Sequence, residues 1–387
     1  MKNLVLANPP LGIYKNEDIT IGQAFYMIRL DVNARLRKEI LNQSVSFPTY
    51  AFNIYGRRGD LLLDPVDYAI KYRERGSLRG KIDLCSKEYL SDDEPEVIKK
   101  AREDFLTLWN KRYIIRGNSG EFFLDTKKIR ENFQKNIFID HVKMTERTKL
   151  ILERFWDDHM DRPHQITKAT NFSIKNPLGG QNLGPLFTLA NMWDAKYKGA
   201  DFVIAGSERN LTNYIFLRIL CRLAITGEPG MKQIFVYPQL RFREGIEEWN
   251  LDSLTTEEYS SDFLRYTLLI PSTNSRGTSN IDKSKLKEAR KFVYRIGNLR
   301  KVLEYIPGNY NPPKDFIDSI LEFNTSKVIP LLNSQFKDLS NRVRKSKLEG
   351  KIQTDKAGFE REFSLFLEMA KIITPKICQK VIGKKNA

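Results

Sequence analysis

The stretch Phe172–Glu208, FSIKNPLGGQNLGPLFTLANMWDAKYKGADFVIAGSE, most constrains how this chain can fold. Pro177, Gly179, Gly180, Gly184 and Pro185 crowd into its first half. Glycine frees the backbone for turns and proline stops both helix and strand, so this part reads as an irregular loop. Asn182 suits a helix cap and Pro185 a first helical turn, where a missing N–H costs nothing. Leu186, Leu189, Ala190, Trp193 and Tyr197 then share one helical face, and Gly199 ends it. A short apolar run, Phe202–Ala205, follows and closes on a polar turn. A glycine loop at a helix N-terminus presents N–H groups to a phosphate. Neither GxxxxGK[ST] nor a post-strand GxGxxG is present, so a tight structural turn is the simpler expectation.

Amphipathic helices dominate the rest. Ile21, Phe25, Ile28, Val32 and Leu36 keep helical spacing, with Arg29, Arg35, Arg37 and Lys38 among them. Ser91 and Glu94 have capping-box spacing before Pro95, which predicts a helix to about Tyr113. Asp125 is placed to cap the next helix. Residues 145–160, 209–225, 282–306, 314–346 and 358–374 each carry a helical apolar pattern. Strand signals are sparse: a β-hairpin over 44–63 with GRRGD at its tip, and a short strand at Ile234–Tyr237. The expected fold class is mainly α, two helical lobes with a small β-hairpin or sheet element. The expected organisation is an N-terminal arm (1–15), a larger helical lobe with minor β (16–270), a linker or mobile loop (271–280) and a C-terminal helical lobe with a basic tail (281–387).

The order of glycine loop, helix, short strand and polar turn resembles motifs B and C of viral RNA polymerases. Gly184 and Thr188 stand for the first, and Asp201–Glu208 for the second. The resemblance implies two-metal phosphoryl transfer, which needs closely placed carboxylates. This chain has Ser207-Glu208 where that family has an aspartate pair, and Asp83 is the nearest candidate for the missing motif A.

Charge points to the partner. The chain carries 64 Lys and Arg against 48 Asp and Glu, a net +16, which favours polyanions. Arg57 and Arg58 sit at the expected hairpin tip. Arg73, Arg75 and Arg79 are interleaved with Gly76 and Gly80, and Arg241 and Arg243 flank Phe242. Lys283, Lys287, Arg290, Lys291 and Arg295 line one helix. Flexible cations hold phosphates, and aromatics beside them stack on bases.

Catalytic chemistry needs a nucleophile with its base or a cluster of ligands. His159 and His164 with Asp158 are the residues of the right type, but no metal-binding spacing such as HExxH is present. Accordingly no catalytic residue, metal or cofactor is assigned. The three cysteines, Cys85, Cys221 and Cys378, are far apart and odd in number, which fits a reducing intracellular compartment. No signal peptide or membrane span is expected.

The favoured function is a sequence-independent binder and packager of RNA or single-stranded nucleic acid, nucleoprotein-like, with a basic groove and scope for self-association. The alternatives are a metal-dependent nuclease or polymerase-related enzyme, and a structural subunit of a larger ribonucleoprotein.

Overall fold

The computed structural model describes residues 4–7, 11–12, 21–47, 50–53, 82–86, 88–170, 173–197, 199–206, 209–237, 240–242, 258–270, 279–281 and 283–383. The chain divides into two compact units built from non-contiguous segments. The first comprises Met1–Glu17, Ser44–Arg75 and Ser86–Gln239; the second comprises Asp18–Gln43, Gly76–Cys85 and Leu240–Ala387.

A five-stranded sheet organises the first unit: β1 (Leu4–Ala7), β2 (Val45–Ser46), β3 (Lys143–Met144), β4 (Phe202–Gly206) and β5 (Gln233–Tyr237). The strand order is β2-β1-β4-β5-β3, and every neighbouring pair is parallel. In register, Leu6 opposes Phe202 and Ile204 opposes Phe235.

Helices, numbered along the chain, are α1 (Ile21–Arg35), α2 (Pro95–Asn110), α3 (Thr126–Asn132), α4 (Asn136–His141), α5 (Glu146–His159), α6 (Pro185–Tyr197) and α7 (Arg209–Thr226). They continue with α8 (Ser260–Leu269), α9 (Lys283–Leu299), α10 (Lys314–Leu321), α11 (Thr325–Leu348), α12 (Ile352–Ile373) and α13 (Pro375–Gly383). None of these is long and apolar enough to cross a membrane.

The fold is α/β, which corrects the mainly-α expectation. Strands of a parallel sheet covered by helices lose the apolar–polar alternation that marks a half-exposed strand. LVLA and FVIAG are unbroken apolar runs of this kind, short enough to be outweighed by long helices. The hairpin expected over 44–63 is also corrected. Val45–Ser46 pairs in parallel with β1, and Tyr50–Asn53 pairs in parallel with Leu11–Gly12 and Tyr89–Ser91. The GRRGD tip lies outside the described residues.

Packing follows from the buried faces. Helix α5 packs on β5, α7 on β4, and α6 against both α2 and α7. Phe105 meets Phe122 and Phe187 edge-on, with ring centroids 5.4 and 6.1 Å apart. Trp193 is fully buried and donates its Nε1–H to the Tyr214 hydroxyl at 2.8 Å. Local signals hold at two of the expected caps, whereas Asn182 caps no helix: it lies in a short strand and donates to Thr170 O at 2.7 Å. Asp125 accepts from Lys128 N–H at 3.0 Å and starts α3, and Ser91 N–H donates to the Glu94 carboxylate at 3.1 Å ahead of α2.

Between α2 and α6 the chain forms small antiparallel sheets, Ile114–Arg116 with Phe122–Leu124 and His164–Gln165, and Thr167–Lys168 with Asn182–Leu183. The glycine loop meets the 117–120 turn here. Gln181 N–H donates to Gly120 O at 2.9 Å, and a β-carbon on Gly180 (φ +78°) would stand 2.6 Å from that oxygen.

Among the described residues, the second unit is helical apart from the parallel pair Leu240–Phe242 and Ser279–Ile281. Phe336 packs on Phe292 and Phe366, with centroids 5.7 and 5.0 Å away. Asn33 of α1 is buried and donates to Ile320 O at 2.9 Å, which fastens α1 to α10.

Candidate nucleotide crevice and basic helix face

Strand β1 is first in the chain yet lies second in the sheet, between β2 and β4. The strand order reverses at the β1–β4 boundary. In open parallel sheets, connections leave in opposite directions at such a point and open a crevice beyond the carboxyl ends of the strands, where ligands bind. Here those ends are Ala7 of β1, Gly206 of β4 and Tyr237 of β5, with Gly206 in register with Tyr237. Helix α7 begins at Arg209, just past β4, so its N-terminal N–H groups face the same edge. The turn Ser207-Glu208 and the Asn8–Pro10 run lie outside the described residues. The opposite edge is pinned by Asp201: its Oδ2 accepts from Val5 N–H at 3.0 Å, and its carbonyl accepts from Lys232 and Gln233 N–H at 2.9 and 3.0 Å.

Helix α9 carries the described part of the expected nucleic-acid face. Lys287, Arg290, Lys291 and Arg295 are exposed, while Ala289, Phe292, Val293 and Ile296 are buried beneath them. Tyr294 stands among these cations at 51% exposure, its ring 5.7 Å from Phe263 and 6.4 Å from Tyr259. The Arg290 guanidinium lies 5.9 Å from the Phe263 ring. Lys283 is the first residue of α9, and Arg241 sits on the strand paired with Ser279–Ile281. Arg57, Arg58, Arg73, Arg75, Arg79 and Arg243 fall outside the described residues.

The histidine–aspartate segment is occupied by other work. Asp157 pairs with Lys135 at 3.0 Å and Asp161 with Arg130 at 2.5 Å. His159 lies on the Phe155 ring at 4.8 Å, and Asp158 is exposed. His164 is held below the usual imidazole range by burial and then by the neighbouring His159. Among the described residues no three ligand-type side chains gather.

The crevice edge escaped the residue-by-residue reading. Its one sequence signal is LVLA followed by Asn8-Pro9-Pro10, an apolar strand with a hard stop, at the start of the chain.

A parallel sheet whose strand order reverses between β1 and β4, with helical cover, defines a doubly wound α/β fold. Among solved structures, the chain is similar to Mycobacterium tuberculosis methionyl-tRNA synthetase bound by methionyl-adenylate. The TM-score is 0.74 at 12% identity, over 99% of this chain and 92% of that one. The free-state structure of that synthetase gives a TM-score of 0.67 at 12% identity, over 99% and 90%. At this identity the likeness is one of fold. No family model and no curated protein matches the chain.

These findings overturn the functional expectations that rested on a helical reading. A nucleic-acid packaging protein of nucleoprotein type does not fit a chain that follows a synthetase fold from end to end. Neither do a metal-dependent nuclease or polymerase-related enzyme and a structural ribonucleoprotein subunit. The motif B and C resemblance fails on topology, because Phe202–Gly206 lies inside a parallel sheet between β1 and β5.

Proposed function

We propose that this chain is an aminoacyl-tRNA synthetase-like enzyme. The single observation that carries the reading is the fold likeness to a methionyl-tRNA synthetase over 99% of the chain, both units included. That synthetase is bound by methionyl-adenylate, and the crevice beyond Ala7, Gly206 and Tyr237 is where the doubly wound fold receives a nucleotide. In the proposed reaction an amino-acid carboxylate attacks the α-phosphorus of ATP. The acyl–phosphate bond forms, the bond to the β-phosphate breaks, and pyrophosphate leaves. The N-terminus of α7 supplies N–H groups and a positive dipole end beside that developing charge.

The RNA partner in this reading is tRNA. Lys287, Arg290, Lys291 and Arg295 are the cations of α9 that would track its backbone, with Tyr294 among them for base stacking. Lys283, Arg241 and Arg243, and Arg57, Arg58, Arg73, Arg75 and Arg79, join them as proposed contacts.

The test is amino-acid-dependent exchange of labelled pyrophosphate into ATP, run with methionine first and then each other amino acid. Exchange with one amino acid supports the reading. No exchange with any of them, together with no shift in melting temperature on adding ATP, sinks it.

A further inference from the structure

An open cavity of about 550 Å³ lies in the first unit, where the C-terminal ends of α2 and α7 meet α3. Phe133, Leu223 and Ala224 give it an apolar lining, and its polar lining includes Lys111, Tyr113, Lys128 and Asn132. None of its described lining residues is acidic.

The chain turns into this wall through Arg112, whose backbone takes the left-handed conformation (φ 60°) that glycine usually fills at a helix end. Tyr113 N–H then donates to Leu108 O at 2.9 Å and closes α2. Lys128 Nζ donates to the carbonyls of Lys111 and Arg112, at 3.1 and 3.0 Å. Lys111 Nζ donates to Ile225 O, near the end of α7, at 2.7 Å.

These contacts fix the two ammonium groups without neutralising them. Their acceptors are uncharged carbonyls, and among the described residues neither lysine pairs with a carboxylate. Neighbouring cations do: Arg130 pairs with Asp161 at 2.5 Å and Lys135 with Asp157 at 3.0 Å. Asp125 caps α3, Glu131 and Glu228 are exposed, and none of the three lines the cavity. Each helix C-terminus offsets about half a charge, so about one positive charge is left over.

The donors left over are the second observation. An ammonium has three N–H groups; Lys111 spends one and Lys128 two, which leaves three between them. Lys128 Nζ stands 4.9 Å from the Tyr113 ring centroid, so ammonium and phenol share one wall. The Tyr113 hydroxyl accepts from Asn132 Nδ2 at 3.0 Å and keeps its own proton to give. A carboxylate offers about four acceptor sites, which these four donors match.

We infer that this cavity binds a small organic monocarboxylate, its charged end on Lys111, Lys128 and the Tyr113 hydroxyl and its apolar body on Phe133, Leu223 and Ala224. Helix α7 begins at the carboxyl edge of the sheet and ends here, 18 residues or about 27 Å further on. The site is therefore distinct from the nucleotide crevice, and it is independent of the proposed adenylation.

The test is calorimetric titration of the purified full chain with phenylacetate and with its uncharged counterpart, phenylacetamide. Saturable binding of the acid, about tenfold or more tighter than the amide, is the expected result. Lys111→Gln should weaken it about tenfold and Tyr113→Phe about fivefold, with cooperative thermal unfolding kept in both. Lys127→Gln, at an exposed position of α3 outside the lining, should leave it unchanged. Absence of saturable binding overturns the inference. So does equal binding of acid and amide, which would be apolar contact alone. Equal weakening by Lys127→Gln overturns it too, because the acid would then sit on general surface charge.

Discussion

Asp31 Oδ2 lies 2.7 Å from Arg265 Nη1, with both side chains fully buried. The pair joins α1 to α8, far apart in the chain. Arg265 spends its remaining donors on main-chain oxygens: Ile373 at 2.8 Å, Ile372 at 2.9 Å, and Ile82 and Asp83 at 3.2 Å each. Asp31 also accepts from Arg35 Nε at 2.7 Å and Cys85 N–H at 2.6 Å. One guanidinium thus ties α1, the 82–85 segment and α12 to α8, which is how non-contiguous segments close into the second unit.

Removing one partner leaves the other charge buried and unpaired. Arg265→Met is expected to cost about 3–5 kcal/mol, read as a lower urea midpoint at pH 7. Burial pushes the Asp31 carboxyl up, but the Arg265 and Arg35 guanidiniums and the Cys85 N–H outweigh it and hold it below its ordinary value. The stability this gives is fully present above the unfolded carboxylate value and is lost as pH falls through the lowered one. An acid titration of Asp31→Asn should lack that loss.

Asp262 behaves in the opposite sense. Its oxygens accept from Lys376 N–H at 3.2 Å and Ile377 N–H at 2.7 Å, capping α13, yet burial pushes its carboxyl up to about 6. A raised carboxyl binds its proton more tightly in the folded state, so this group makes stability fall as pH rises from about 4 to about 6 and level off above. Wild-type chain should therefore gain up to about 3 kcal/mol from this group at acid pH, and Asp262→Asn should remove that part of the pH profile. An unchanged profile in the variant would refute the assignment.

At Gly180 the left-handed backbone and the approach of Gly120 O exclude a side chain. Gly180→Ala is expected to lower stability by about 1–3 kcal/mol, whereas the same change at Gly358, exposed inside α12 with nothing within 4 Å, should raise it by about 0.5–1 kcal/mol. Paired thermal melts check both.

On α9, Lys287→Ala and Lys291→Ala remove exposed cations. If tRNA tracks this face, each should flatten the dependence of log affinity on log salt by about one unit and leave stability within about 0.5 kcal/mol. Unaltered slopes in both variants would take the RNA off this helix.

Much of the local structure was legible from residues alone. The cap at Asp125, the start of α2 after Ser91 and Glu94 and the helix after Pro185 all rest on interactions within a few positions of one another. The strand at 234–237 was legible too, as an apolar run between glycine and proline. The sequence could not tell that LVLA at the chain start is an interior strand, nor that Val45 opposes Leu4 across a sheet. A parallel strand pairs only with distant segments and is covered by helices, so it carries no alternation to read.

The same limit governs the site. No local pattern marks Arg265 or Asp31 as buried, and packing of α1 against α8 makes them a buried tie. The order that places β1 between β2 and β4 and reverses the connections at the carboxyl edge is encoded by no single segment. Charge, helix periodicity and caps are properties of neighbours in the chain. Strand order, burial of charge and the cavity between α2, α3 and α7 are properties of neighbours in space, and the tertiary structure alone decided them.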